Sequence, residues 1–348
     1  MEGASRARRF AKAAAYGGGG AGAAAALLGG GLFGLLLGQS KLARRAIPVA
    51  LTSPPVSNDT TWAAAGVSAT RPPIRLGVLG DSTAAGYGVH RDRDTLAAQL
   101  AIGISAIARR PVHISNVAVV GARSSQLGEQ VVALGRAHPE IVLISIGTND
   151  VTHRVRPSHA VPHLARAVTQ FRAAGAEVVV STCPDLGAVR PLQQPLRRYA
   201  RLLSRQMAKA QTIAVVEAGG RTVSLGDILG PLFASQSELF SDDQFHPSAA
   251  GYAKAAEAIL PSALDALGMG TRARSASTFL TRRPKPVARA AAQAAAHPGT
   301  EVAGTDRGTG LGRLRVGRGT LAQLRRRRPR TPVPSSPEAA HEVSASTP

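Results

Sequence analysis

The middle of the chain alternates between short apolar runs and longer stretches with apolar residues at helical spacing. Residues 74–79 form an apolar run closed by Gly80-Asp81, the pattern of a buried strand. In 94–107 the apolar positions Leu96, Leu100, Ile104 and Ile107 recur three or four residues apart, which predicts a helix. The same reading gives a strand over 112–120 and a helix over 124–137 with Leu127, Val131 and Leu134 on one face. It then gives a strand over 140–146, a helix over 158–174 stopped by Gly175 and a strand over 176–182. A helix over 193–210, a strand over 212–217 and a last helix over 247–267 complete the series. Strands alternating with helices predict an α/β fold, a parallel sheet covered on both faces. Five such strands fit a three-layer α/β/α sandwich over residues 73–268.

The flanks break this rhythm. Residues 1–12 are basic, with Arg6, Arg8, Arg9 and Lys12, whereas no charge occurs from Ala13 to Ser40. The apolar part, 13–38, is long enough to cross a bilayer and exceeds the usual signal-peptide core, with no clear cleavage site after it. It is expected to be a transmembrane anchor, although its glycines dilute its hydrophobicity and a cleaved signal remains open. A single anchor of this kind places the following domain outside the cytoplasm, or secretes it if the segment is removed. Residues 39–72, rich in Pro, Ser, Thr and Ala, read as a linker. From Met269 onward Pro, Arg, Ala, Gly, Ser and Thr dominate, and 269–348 are expected to be mostly disordered.

Charge sharpens this division. The chain has 348 residues and a net charge of +21. Residues 271–348 carry fifteen Lys/Arg against four Asp/Glu, while 71–270 carry twenty against fifteen. The excess therefore lies in the tail, where Arg325 to Arg328 and Arg330 would adhere to an anionic wall polymer or to lipid head groups. Without aromatic residues interleaved, specific nucleic-acid recognition is not expected. Cys183 is the sole cysteine, so intrachain disulfides and cysteine-based zinc sites are excluded. In a strand-like stretch it reads as a small buried residue. No cluster has metal-ligand spacing, and no cofactor is expected.

Two short motifs carry candidate chemistry. Gly80-Asp81-Ser82-Thr83 ends the first predicted strand, and Asp243-Gln244-Phe245-His246-Pro247 precedes the last helix. A serine hydroxyl becomes a nucleophile at neutral pH only when a base removes its proton, and a third group must hold that base in the right tautomer. Ser82, His246 and Asp243 are candidates for these roles, with Asp242, Asp150 and Asp185 as other possible partners of the base. In a parallel sheet such residues meet beyond the carboxyl ends of the strands. Gly121, after the second strand, and Asn149 in Gly147-Thr148-Asn149-Asp150, after the third, reach the same edge. The backbone N–H groups of Ser82 and Gly121 and the side-chain amide of Asn149 are candidate donors to an oxyanion. Asp81 and Asp150 read as supporting residues, Asp81 holding the nucleophile turn. The segments 84–93, 152–157, 186–194 and 232–242, with Tyr87, His90, Arg154, Arg156, Leu232 and Phe233, would shape a substrate pocket.

Gly80-Asp81-Ser82, Gly121, Gly147-Thr148-Asn149-Asp150 and Asp243-x-x-His246 occur in the order of the four blocks of the SGNH hydrolases, or GDSL esterases/lipases, and the chain resembles that family over residues 74–266. Thr83 replaces a frequent leucine. The stretch from Gly80 to Gly88 looks like the lysophospholipase/thioesterase-like branch. The resemblance implies a flavodoxin-like sandwich and a serine esterase or lipase with Ser82 as nucleophile, His246 as base and Asp243 as acid. It also implies an oxyanion hole of Ser82, Gly121 and Asn149. The G-x-S-x-G elbow of the α/β-hydrolases is absent around Ser82. The substrate would be a small-molecule, lipid or glycan ester. Two other functions use the same features: an acyltransferase passing the acyl group to a sugar or lipid hydroxyl, and a non-enzymatic anchored scaffold with a polyanion-binding tail.

Overall fold

The structure is a computed structural model. It describes residues 31, 34–42, 54–55, 59–225, 235–269, 279–281, 285–294, 300–304, 321–327 and 340–343. Its strands are β1 (Thr60–Ala64), β2 (Ile74–Gly80), β3 (Val112–Asn116), β4 (Ile141–Ser145), β5 (Glu177–Thr182) and β6 (Arg221–Ser224). Beyond these come β7 (Phe279–Thr281), β8 (Lys285–Pro286), β9 (Thr300–Gly304), β10 (Leu321–Arg327) and β11 (Ala340–Val343). The helices used below are α1 (Ser82–Ala85), α2 (Leu96–Ala108), α3 (Leu127–Gly135), α4 (Thr148–Thr152), α5 (Pro157–Ala173), α6 (Leu196–Glu217), α7 (Ala249–Ala266) and α8 (Val287–Ala294).

Strands β2 to β6 are parallel and lie in the order β3-β2-β4-β5-β6. The first of these parallel strands in sequence, β2, thus has neighbours reached by connections running in opposite directions, and the crevice at this reversal is where α/β sheets bind ligands. Alternation along the strands sends side chains to two separate cores. Leu76, Val78, Ile141, Leu143 and Val179 pack with Leu96, Leu100 and Ile104 of α2 and with Tyr252 and Ile259 of α7. Leu79, Val142, Ile144, Val178 and Val180 pack on the other face with Leu127, Leu164, Phe171 and Val215. The five-stranded parallel sandwich expected from the sequence is present as the centre of a larger, mixed sheet.

Two expectations are corrected. Residues 212–217, read as a strand in the alternating series, are the last turns of the 22-residue helix α6. Buried Ser204, Met207, Ala208, Gln211, Thr212, Val215 and Val216 step along one helical face. Packing of that face outweighs strand propensity, and the fifth parallel strand is instead β6. The expected linker 39–72 contains β1, which pairs antiparallel with β3 and buries Trp62 in the core. Its Pro- and Ser-rich surroundings disguised a Thr-Thr-Trp strand. Most of the tail 269–348 lies outside the described residues, and the described parts carry strands and a helix. β9 pairs antiparallel with β6, β10 with β9, and β11 with β1. Val287, Ala290 and Ala294 of α8 share a small core with Val216 and Val302.

Most of the expected span 13–38 lies outside the described residues. Among the described residues no helix is long and apolar enough to cross a membrane. The described helical residues 34–42 dock on the start of α6: Gln39 Nε2 donates to Gln194 O at 2.7 Å, and its Oε1 accepts from Leu196 N–H at 3.1 Å.

Candidate active site

The turn after β2 is built around Gly80. Its φ is +141°, and a Cβ there would sit 1.9 Å from Ser145 O, so no other residue fits. The Gly80 backbone is matched by the buried Gln130 side chain of α3, whose Oε1 accepts from Gly80 N–H at 2.7 Å and whose Nε2 donates to Gly80 O at 3.0 Å. Asp81 N–H donates to Ser145 O at 2.9 Å, and the Asp81 carboxylate caps α1 by accepting from Thr83 N–H at 3.1 Å. Ser82 is thereby presented as the first residue of α1, at the carboxyl edge of the sheet, and is 5% exposed.

The second motif forms a tight loop ahead of α7. Asp243 Oδ1 accepts from the N–H groups of Phe245 and His246 at 2.9 and 2.8 Å and from Ser241 Oγ at 2.8 Å. Its other oxygen, Oδ2, lies 2.5 Å from His246 Nδ1. His246 Nε2 lies 2.9 Å from Ser82 Oγ. The structure thus joins Ser82, His246 and Asp243 in one hydrogen-bonded line across 164 residues of sequence. Asp185 is instead engaged by Arg201 and Arg205, and Asp150 by Ser124. Burial opposes ionisation of Asp243, but the hydrogen bond and charge of His246 and the backbone donors of the loop outweigh it. Its carboxyl is held well below the usual range.

Asp81 behaves in the opposite way. Complete burial, reinforced by the nearby charge of Asp150, lifts its pKa from 3.8 to about 7, against the N–H groups of Thr83, Thr148 and Gly147. Asp150, also buried, accepts from the N–H and hydroxyl of Ser124. The two carboxylates therefore tie the Ser82 turn, the 147–150 turn and the loop after β3 to one another. Gly121 lies in that last loop with φ +81°. Among the described residues beyond its chain neighbours, a Cβ at Gly121 would meet no atom within 4 Å, so backbone conformation rather than space calls for glycine. Asn149 donates one side-chain N–H to Ala122 O at 3.1 Å, fastening the Gly121 loop to α4 and leaving its second N–H uncommitted by that bond.

Two aromatic residues already within the sequence motifs pack on the base, and Tyr252, Gln130 and Gln211 are further residues that the sequence reading missed. The rings of Tyr87 and Phe245 meet the His246 ring edge-on, with centroids 4.4 and 4.8 Å away. Buried Tyr252 donates its hydroxyl to Tyr87 O at 2.6 Å. Gln211 mirrors Gln130, bonding Ile146 O and Cys183 N–H, both at 2.8 Å. The legible signal was a glutamine on an otherwise apolar helix face, which must find polar partners once buried. Cys183 is buried, and its thiol pKa is pushed well up, first by burial and then by the surrounding carboxylates. Of the other expected pocket residues, Arg154 lines a neighbouring groove, while Leu232 and Phe233 lie outside the described residues.

Residues 78–254 match the model of the GDSL-like lipase/acylhydrolase family. The chain belongs to this family. Membership makes it an ester-hydrolysing enzyme with the α/β fold of the SGNH hydrolases. It is 38% identical over 245 residues to the GDSL-like esterase Rv1075c of Mycobacterium tuberculosis, a match covering 68% of this chain and 78% of that one. Among solved structures, TesA matches at 21% identity with a TM-score of 0.46, covering 55% of this chain and 99% of its own. A mutant of Axe2, an acetyl-xylooligosaccharide esterase from Geobacillus, matches at 20% identity with a TM-score of 0.41, covering 53% and 92%.

Proposed function

We propose that this GDSL-family enzyme cleaves carboxylic esters through an acyl-enzyme on Ser82, with His246 as general base and Asp243 as its orienting acid. The observation that carries the reading is the unbroken line from Ser82 Oγ to His246 Nε2 and from His246 Nδ1 to Asp243 Oδ2. His246 takes the Ser82 proton as Oγ bonds to the ester carbon, and the carbonyl electron pair moves onto oxygen. Asp243, ionised throughout, stabilises the imidazolium and fixes its orientation. The carbonyl re-forms, the bond from carbon to the alcohol oxygen breaks, and His246 Nε2 returns its proton to that oxygen. Water then repeats the sequence, giving its proton to His246 and releasing the acid and free Ser82.

The oxyanion of each tetrahedral step is met by Ser82 N–H, Gly121 N–H and the second side-chain N–H of Asn149, worth about 3–4 kcal/mol per donor. Tethering of Asn149 to Ala122 supports this role, because it holds two of the three donors at one spacing. Asp81 and Asp150 support the site by holding its turns together. The test is hydrolysis of p-nitrophenyl acetate by the wild-type chain and by Ser82→Ala. Loss of turnover in a variant that keeps its circular dichroism spectrum supports the reading. Turnover retained by Ser82→Ala refutes it.

A further inference from the structure

The loop that carries Asp243 and His246 is a hairpin. Phe240 and Pro247 face each other as an antiparallel bridge, and Ser248 N–H donates to Leu239 O at 2.8 Å. Ser241 N–H donates to His246 O, also at 2.8 Å, so Ser241 stands across the hairpin from the base. Residues 242–245 form the tip, closed by Gln244 N–H donating to Ser241 O at 2.9 Å. From this tip the Asp243 carboxylate turns back between the two arms. Its Oδ1 accepts from the N–H groups of Phe245 and His246 on one arm and from the Ser241 hydroxyl on the other, at 2.8 Å. Its Oδ2 meets His246 Nδ1. An ionised carboxylate can only accept, so the Ser241 hydroxyl is the donor. The turn after α1 closes on the same group: a Cβ at Gly88 would stand 3.1 Å from Ser241 Oγ, 3.0 Å from His246 Cβ and 2.9 Å from Pro247 O.

We propose that Ser241 is a positioning residue for the ester hydrolysis: its hydroxyl holds Asp243 Oδ1 so that Oδ2 faces His246. The role rests on the acyl-enzyme reading above, in which Asp243 orients the base. The terminal torsion of an aspartate is broad and roughly two-fold, so the side chain's own rotamer does not choose which oxygen faces the ring. Its partners must choose. The backbone donors of Phe245 and His246 grip the carboxylate from the arm that follows it, and Ser241 grips it from the arm that precedes it. A hydrogen bond to an ionised group is of the stronger kind. Without the hydroxyl the grip is one-sided. The carboxylate then swings about its torsion, and His246 spends less time with Nε2 aimed at Ser82 Oγ.

The experiment uses the full chain and p-nitrophenyl acetate. Ser241→Ala is expected to lower kcat about five- to tenfold, the share of one hydrogen bond to a charged group, with KM changed less than about twofold. Ser241→Thr and Ser241→Val share a side-chain shape and differ by the hydroxyl, so their comparison holds even if alanine loosens the hairpin. Ser241 borders a pocket of about 370 Å³ with Tyr87, His90 and Asp242, which has room for the added methyl. The threonine variant is expected to keep kcat within about threefold of wild type, and the valine variant to fall to the level of alanine. A background of Asp243→Ala separates positioning from packing. With the carboxylate gone, Ser241→Ala should change kcat by no more than about twofold further, whereas a hydroxyl that merely stiffens the hairpin costs the same in both backgrounds. Equal kcat in the threonine and valine variants, wild-type kcat in Ser241→Ala, or the same loss with and without Asp243 would each overturn the assignment. Ser82-dependent turnover in those cases leaves the acyl-enzyme reading standing, whereas turnover that survives Ser82→Ala removes that reading and this role with it.

Discussion

Replacing Asp81 by asparagine tests whether a buried carboxylate beneath the nucleophile turn makes stability depend on pH in an unusual direction. In the unfolded chain Asp81 ionises near 3.8, whereas in the fold it keeps its proton to about 7. Between these values the folded state binds more protons than the unfolded one, so stability falls as pH rises. The window spans about three pH units, and at about 1.4 kcal/mol per unit the stability lost across it is about 4 kcal/mol. Asparagine does not titrate, so the difference in unfolding free energy, wild type minus Asp81→Asn, should drop by about that amount between pH 4 and pH 8. Taking the difference cancels the titration of the other carboxylates. At acid pH the wild type is expected to be the more stable, since the amide nitrogen cannot accept the backbone N–H bonds that Asp81 receives. Urea unfolding followed by circular dichroism at half-unit steps of pH measures the difference. A difference independent of pH would refute the argument, showing that Asp81 ionises as an ordinary aspartate despite its burial.

Asp243→Asn should lower kcat about 10³- to 10⁴-fold with little change in folding, because the amide supports the wrong imidazole tautomer; the kinetics of p-nitrophenyl acetate hydrolysis read this. The depressed pKa of Asp243 means that its stabilising ionised form is present above its unfolded value of 3.8 and is lost only as pH falls below it. Asp243 itself should therefore add no inflection to the wild-type activity profile between pH 5 and pH 8. Gln130→Leu should destabilise the fold by about 1–3 kcal/mol, since the N–H of Gly80 would be left buried without its partner while Gly80 O still accepts from Val119 N–H at 3.1 Å. The urea midpoint measures this, and a change under about 0.5 kcal/mol would mean that other groups satisfy Gly80.

The parallel core of the sheet was legible because strands buried on both faces read as short apolar runs, and amphipathic helices read as a repeat of three and four. The candidate site was legible for a related reason. Gly80, Asp81 and Ser82 lie side by side in sequence and Asp243 stands three residues before His246, so local geometry suffices to hold each group. The run 212–217 failed because its composition favours a strand, while the face that packs on the sheet belongs to a helix. The strand β1 failed because pairing with β3, fifty residues away, decides it rather than its own neighbours. Gln130, Gln211 and Tyr252 carry no motif, since their roles exist only when distant segments meet. The sequence alone determined which residue types stand at the strand ends and their order. The tertiary structure alone decided that His246 reaches Ser82 across 164 residues, that two buried glutamines finish the strand ends, and that the rings of Tyr87 and Phe245 pack edge-on against His246. Those are matters of distance, burial and volume, which arise only when separate parts of the chain close on one another.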